Sequence, residues 1–121
     1  MRIFAGRYNR ICGEVTKLVN LLQNLESHDP LRLQITDALV DKMYAMGLIT
    51  TKRLLPCAKV ATAAFCRRRL PVVMVRLKMA PTVKLAVQYV EQGHVRVGPE
   101  TVTDPAFLVT RNLEDHVTWV D

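Results

Sequence analysis

Prolines and glycines cut this chain into short segments, and their placement limits the fold more than any other feature. Pro30, Pro71 and Pro81 stand where a helix can start but not continue, because proline lacks the N–H that an inner turn needs. Gly47 and Gly93 follow apolar-periodic stretches, where a left-handed residue closes a helix. Gly98-Pro99-Glu100 is turn chemistry. At 121 residues the chain has room for one domain, or one domain with a helical appendage, and not for two full-sized domains.

Between these breaks the periodicity changes along the chain. Residues 8–25 place Ile11, Val15, Leu18, Val19, Leu22 and Leu25 three and four apart, which predicts an amphipathic helix. Asp29 suits an N-cap and Pro30 the first position of a second helix. That helix is expected to reach about Met46, to bury Leu31, Ile35, Leu39, Met43 and Met46, and to lie antiparallel to the first. Residues 50–59 read as a connector with a short turn around Pro56. A new apolar face starts at Phe65 and Cys66, and a helix from near Leu70 should turn Val73, Met74 and Leu77 inward. Thr82 suits the N-cap of a helix through Glu91 that buries Val83, Ala86, Val87 and Val90. His94-Val95-Arg96-Val97 and Thr101-Val102-Thr103 alternate polar and apolar about the turn, as hairpin strands do, and Phe107-Leu108-Val109 and residues 117–120 predict one or two further strands. The fold class is therefore α+β: an antiparallel helix pair in residues 1–64, then two short helices on a small, mainly antiparallel sheet in residues 65–121.

Charge is distributed unevenly over this frame. Residues 65–96 hold seven basic side chains and one acidic one, whereas residues 97–121 hold one basic and five acidic. Clustered charge makes a field, while scattered charge is largely screened within a Debye length of about 8–10 Å. With a net charge of +6, the chain points to a polyanionic partner. The cluster begins at Arg67-Arg68-Arg69 and continues through Arg76, Lys78, Lys84 and Arg96. A solvated face is the plainer reading of the triplet, but neighbouring guanidiniums repel one another and are best tolerated where phosphates or acids neutralise them. The N–H groups and dipole of the helix that follows should add to that attraction.

Catalytic and metal-binding patterns are absent from the sequence. His28, His94 and His116 have no metal-ligand spacing to other ligating residues, and Glu114-Asp115 reads as an exposed acidic turn. Cys12, Cys57 and Cys66 are odd in number and widely spaced, which suggests reduced core cysteines and neither a disulfide framework nor a zinc site. No Gly-rich phosphate loop or nucleophile elbow occurs. The expectation is a protein that is not an enzyme and uses no cofactor. No apolar run approaches the roughly 20 residues of a membrane span, and the first residues lack the apolar core of a signal peptide, so secretion is not expected.

Phe65-Cys66-Arg67-Arg68-Arg69-Leu70, then Val73, Leu77, Met79-Ala80, Ala86, Val90 and Gly93-His94-Val95-Arg96-Val97, resembles the S4 RNA-binding domain family. That pattern is an Arg-Arg-Leu helix start, a second helix, and a Gly-His-Ile/Val-x-Val strand. Residues 102–111, 117–121 and the earlier run 39–48 extend the likeness over most of the chain from about Tyr8, toward the branch of the family found in the U3 small nucleolar ribonucleoprotein. The resemblance implies a nucleolar, hence nuclear, assembly factor that pairs U3 small nucleolar RNA with pre-ribosomal RNA and docks on a large phosphoprotein scaffold of the same particle. Residue by residue, Arg67, Arg68 and Arg69 match the basic helix start, and His94 and Arg96 match the basic strand; Lys78 adds a cation between the helices. Many members carry arginines where this chain has Val83 and Val87, which leaves packing to that helix and one phosphate contact to Lys84. Members also usually carry a basic helical segment before the Tyr8 region and continue past the Trp119 region, both short here.

Two other readings use the same residues: an S4-type protein of the mature small ribosomal subunit, and a protein-interaction module with no direct RNA role. The RNA-guiding part of a modification enzyme would need a catalytic domain for which this chain has no room. Trp119 could stack on a base, but flanked by Val117 and Val120 it reads more plainly as a core plug or a partner contact.

Overall fold

The first apolar stripe lies on α1, Arg2–Gln23, which begins several residues before the periodicity does. The computed structural model describes residues 2–121, with side chains from Arg7 onward, and the chain divides into two compact units after Phe65. In the first unit Val19 and Leu22 are buried, and the Tyr8 ring stacks on Phe65 with centroids 4.9 Å apart and planes 6° from parallel. Tyr8 is thus part of the core.

Helix α2, Pro30–Ala45, starts as the sequence predicts: the Leu31 N–H donates to the Asp29 carboxylate at 2.8 Å, with Pro30 in the first turn. Its buried face agrees with the expected one only in part, Met43 being buried and Ile35, Leu39 and Met46 half-buried. Val40 and Met43 are buried, whereas Leu31 is 55% exposed. The reason is a third helix. The connector folds as α3, Leu54–Ala58, with Pro56 inside it and Cys57 buried, and this short helix packs against both α1 and α2. Leu39 and Met46, half-buried, line an apolar cleft of about 330 Å³ with Ile11, Val15 and Phe65.

A short helix α4, Thr62–Cys66, leads to the second unit. There α5, Leu70–Arg76, and α6, Val83–Glu91, pack on each other. Leu70, Val73, Met74, Ala86 and Val90 meet Val95, Val97, Val109 and Val117 in one core. The Thr82 hydroxyl caps α6 by accepting from the Leu85 N–H at 3.2 Å. Two expected core residues lie outside: Leu77 follows the last turn of α5, and Val83 opens α6 on its exposed side.

Helices α2, α5 and α6 end in the same way. A left-handed residue donates its N–H to a carbonyl three residues back, and the next residue bonds to one five back. The pairs are Gly47 to Tyr44 and Leu48 to Met43, Lys78 to Val75 and Met79 to Met74, and Gly93 to Val90 and His94 to Tyr89. The φ values are 77° at Gly47, 80° at Gly93 and 64° at Lys78. Glycine suits this position because it has no Cβ to crowd the carbonyl; lysine adopts it at a cost.

Strand β1, Val95–Val97, forms the hairpin with β2, Glu100–Thr101, across Gly98-Pro99, and β3, Val117–Trp119, pairs antiparallel on its other side, giving the order β2-β1-β3. Val95 and Val97 face the core, and Arg96 faces out beside Thr101 and Thr118. Phe107-Leu108-Val109 does not form the expected strand. Leu108 makes an isolated bridge to Arg69, with the Leu70 N–H donating to the Phe107 carbonyl and the Val109 N–H to the Arg68 carbonyl, both at 2.8 Å. No helix among the described residues is long and apolar enough to cross a membrane.

Candidate nucleic-acid interface

The arginine triplet lies on the turn that joins α4 to α5, and its members point to different fates. Arg67 is exposed and Arg69 half-buried. Arg68 is only 7% exposed. Its Nε donates to the Val109 carbonyl at 3.1 Å, and one terminal nitrogen lies 3.5 Å from a Glu114 carboxylate oxygen. Arg68, expected on a phosphate-binding face, holds its guanidinium inside the unit, engaged by the chain's own carbonyl and carboxylate.

The other Glu114 oxygen accepts from Arg76, which stands at the last turn of α5 and is half-exposed. One carboxylate thus draws together Arg68 and Arg76, which the sequence places separately. The first N–H of α5, that of Leu70, is also used within the unit, donating to the Phe107 carbonyl.

The remaining cations are open. Lys78 is exposed in the link between α5 and α6, and Lys84 is exposed in the first turn of α6. Arg96 stands out from the middle of β1, where its Nε donates to the Thr118 hydroxyl at 3.1 Å. That bond fixes the guanidinium plane while leaving its terminal nitrogens for another acceptor. His94, also exposed, sets its ring 6.4 Å from Tyr89 at 75°, and Tyr89 meets Trp119 edge to face at 5.3 Å and 84°. Glu114, Thr118 and Tyr89 carry no signal in the sequence that would have marked them, because each matters through a partner distant along the chain.

The arrangement gives exposed cations on a strand, a helix start and an interhelical link, and among the described residues no cluster of three or more metal-ligating side chains. Comparison with known proteins matches residues 68–115 to the S4 domain and residues 5–66 to the ribosomal protein S4/S9 N-terminal domain. The chain is similar to the U3 small nucleolar ribonucleoprotein protein IMP3 of Saccharomyces cerevisiae, 56% identical over 95% of this chain and 64% of that protein. It is 51% identical to the Pneumocystis carinii protein of the same name, over 95% of this chain and 69% of that one. It is more distantly similar to the small ribosomal subunit protein uS4 of Pyrobaculum islandicum, at 34% over 79% of this chain and 59% of that protein. The chain spans a little under two thirds, 64%, of the length of the yeast relative. By this likeness over nearly its whole length, the chain belongs to the IMP3 family of S4-domain proteins.

Proposed function

We propose that the chain is a non-catalytic RNA-binding assembly factor of the U3 small nucleolar ribonucleoprotein. Its ligands are the U3 small nucleolar RNA and the pre-ribosomal RNA, held during early assembly of the small subunit in the nucleolus. Lys78 carries the reading. It takes with φ 64° the left-handed position that α2 and α6 give to glycine, and a side chain there costs about 1 kcal/mol. An exposed ammonium kept at that cost, within the stretch matched to the S4 domain, supports selection for contact with an anion. Lys84, His94 and Arg96 are exposed in the same stretch, and Arg67 is exposed just ahead of it.

Such a surface binds structured RNA through backbone phosphates and shape, because side chains cannot enter the deep, narrow groove of an A-form helix. If four or five of these cations neutralise phosphates, log K falls against log salt with a slope of about −3 to −4. Fluorescence anisotropy of a labelled fragment of U3 RNA, titrated at several salt concentrations, tests this. A flat dependence would count against phosphate-dominated binding. Charge reversal at Lys78 and Arg96 separates the reading from a protein-interaction module: RNA binding should be lost, and unchanged RNA crosslinking with loss of a protein contact would favour the module.

The particle named for the relatives also supports a protein scaffold as partner, a phosphoprotein by the resemblance. The lower identity to uS4 favours an assembly factor over a ribosomal protein. Sedimentation distinguishes them, since an assembly factor travels with large precursor particles and is absent from translating ribosomes.

A further inference from the structure

Trp119 is neither a core plug nor a loose terminal ring. It is 41% exposed, yet β3 fixes its backbone against β1 and the Val120 N–H donates to the His94 carbonyl at 2.8 Å just beyond it. Its ring meets Tyr89 at 84°, with centroids 5.3 Å apart. A perpendicular contact uses an edge or at most one face of the indole, so at least one face is not covered by Tyr89. Tyr89 itself is anchored from α6 and half-buried against the core of the second unit. His94 adds a third ring to the cluster, 6.4 Å from Tyr89 at 75°.

We infer that Trp119, buttressed by Tyr89, is a stacking platform for one unpaired RNA base. The inference rests on the RNA-binding reading above and adds to it a contact of different chemistry. Phosphate contacts position a strand without reading bases, whereas an exposed π-face held rigid by a perpendicular neighbour takes up a splayed base at little entropic cost. The ligand class is therefore single-stranded or bulged RNA. A perfect duplex, whose bases are stacked on each other, cannot use the site.

Trp119 is the one tryptophan in the sequence, so its emission reports on the site directly. The full chain is titrated with a single-stranded oligouridylate, with an abasic ribose-phosphate oligomer of equal length, and with an RNA duplex. The oligouridylate should quench Trp119 and bind about tenfold tighter than the abasic oligomer, a ratio typical of one base stacked on an aromatic ring. The duplex should bind without quenching. By anisotropy of labelled RNA, Trp119→Ala should bind oligouridylate no better than the abasic oligomer, at unchanged salt slope, while Trp119→Phe should keep most of the difference.

Equal binding of base-bearing and abasic oligomers, salt-dependent and without quenching, would overturn the platform alone and leave the phosphate-binding surface standing. So would a Trp119→Ala chain that binds oligouridylate as tightly as the unaltered one. Failure of all three ligands to bind would overturn both readings.

Discussion

Arg68 and Glu114 form an ion pair at 3.5 Å inside the second unit, with the arginine side chain 8% exposed and the glutamate 26%. The pair ties the turn before α5 to the short 3-10 turn, Glu114–His116, that precedes β3. The Arg68 bond to the Val109 carbonyl fastens the intervening segment as well. Because Glu114 also holds Arg76, one carboxylate offsets two cations that would otherwise repel each other.

Removing the two partners should therefore have unequal effects. Glu114→Ala leaves a buried guanidinium without its counter-charge and should destabilise the unit by about 2–3 kcal/mol, somewhat below the usual range for a buried pair because Glu114 is partly solvated. Arg68→Met removes the charge with its stem volume retained and should cost less, about 1–2 kcal/mol. Urea unfolding followed by circular dichroism checks the order. Equal midpoints for the two variants would show that the pair is not what holds this segment.

Lys78→Gly should move stability and binding in opposite directions. Relief of the left-handed backbone at φ 64° is expected to stabilise the fold by about 0.5–1 kcal/mol. Loss of the ammonium should weaken RNA binding and make the salt slope shallower by about one unit. Thermal unfolding and anisotropy titrations on the same preparation give both values. A variant that is stabilised and binds RNA unchanged would remove Lys78 from the interface.

Thr82→Ala deletes the hydroxyl that accepts from the Leu85 N–H at 3.2 Å. The loss of a helix N-cap should cost about 1 kcal/mol, and Thr82→Ser or Thr82→Asp should recover most of it. Differential scanning calorimetry gives the order Thr, Ser and Asp above Ala.

Burial pushes the Cys57 thiol above its ordinary value of 9.0. Since the folded value is the higher one, the thiol contributes stability that is intact below about pH 9 and is lost as pH rises through the folded value. Stability should thus decline on the alkaline side, and Cys57→Ala should reduce that part of the decline while lowering stability at neutral pH by leaving a small cavity. Iodoacetamide at pH 8 should label Cys66 readily and Cys57 only on unfolding, as the thiolate is the reactive species. Mass spectrometry of tryptic peptides identifies the labelled positions.

Local chemistry was legible in the sequence wherever neighbouring residues decide it. Asp29-Pro30 at the start of α2, Gly47 at its end, Thr82 before α6 and the Gly98-Pro99 hairpin all lie where short-range rules put them. The inward turn of Arg68 was not legible, because its acid stands far along the chain and nothing in an arginine triplet says which member is buried. For the same reason Phe107-Leu108-Val109 read as a strand: its apolar run is real, but its partner is a turn rather than a sheet edge. Leu31 was expected inside because an apolar stripe was matched to α1, whereas α3 is the helix that packs on both. Among the cations, Lys78, Lys84, His94 and Arg96 are exposed; the left-handed backbone of Lys78 leaves no trace in residue type.

The sheet order β2-β1-β3 also bears on when each part of the chain can take shape during translation. The first unit is closed by Phe65 against Tyr8 and has all its core residues once Phe65 clears the exit tunnel. The second unit lacks one side of its central strand until Trp119 emerges. A nascent chain can therefore complete its helical half well before the central strand of its S4 half is paired on both sides.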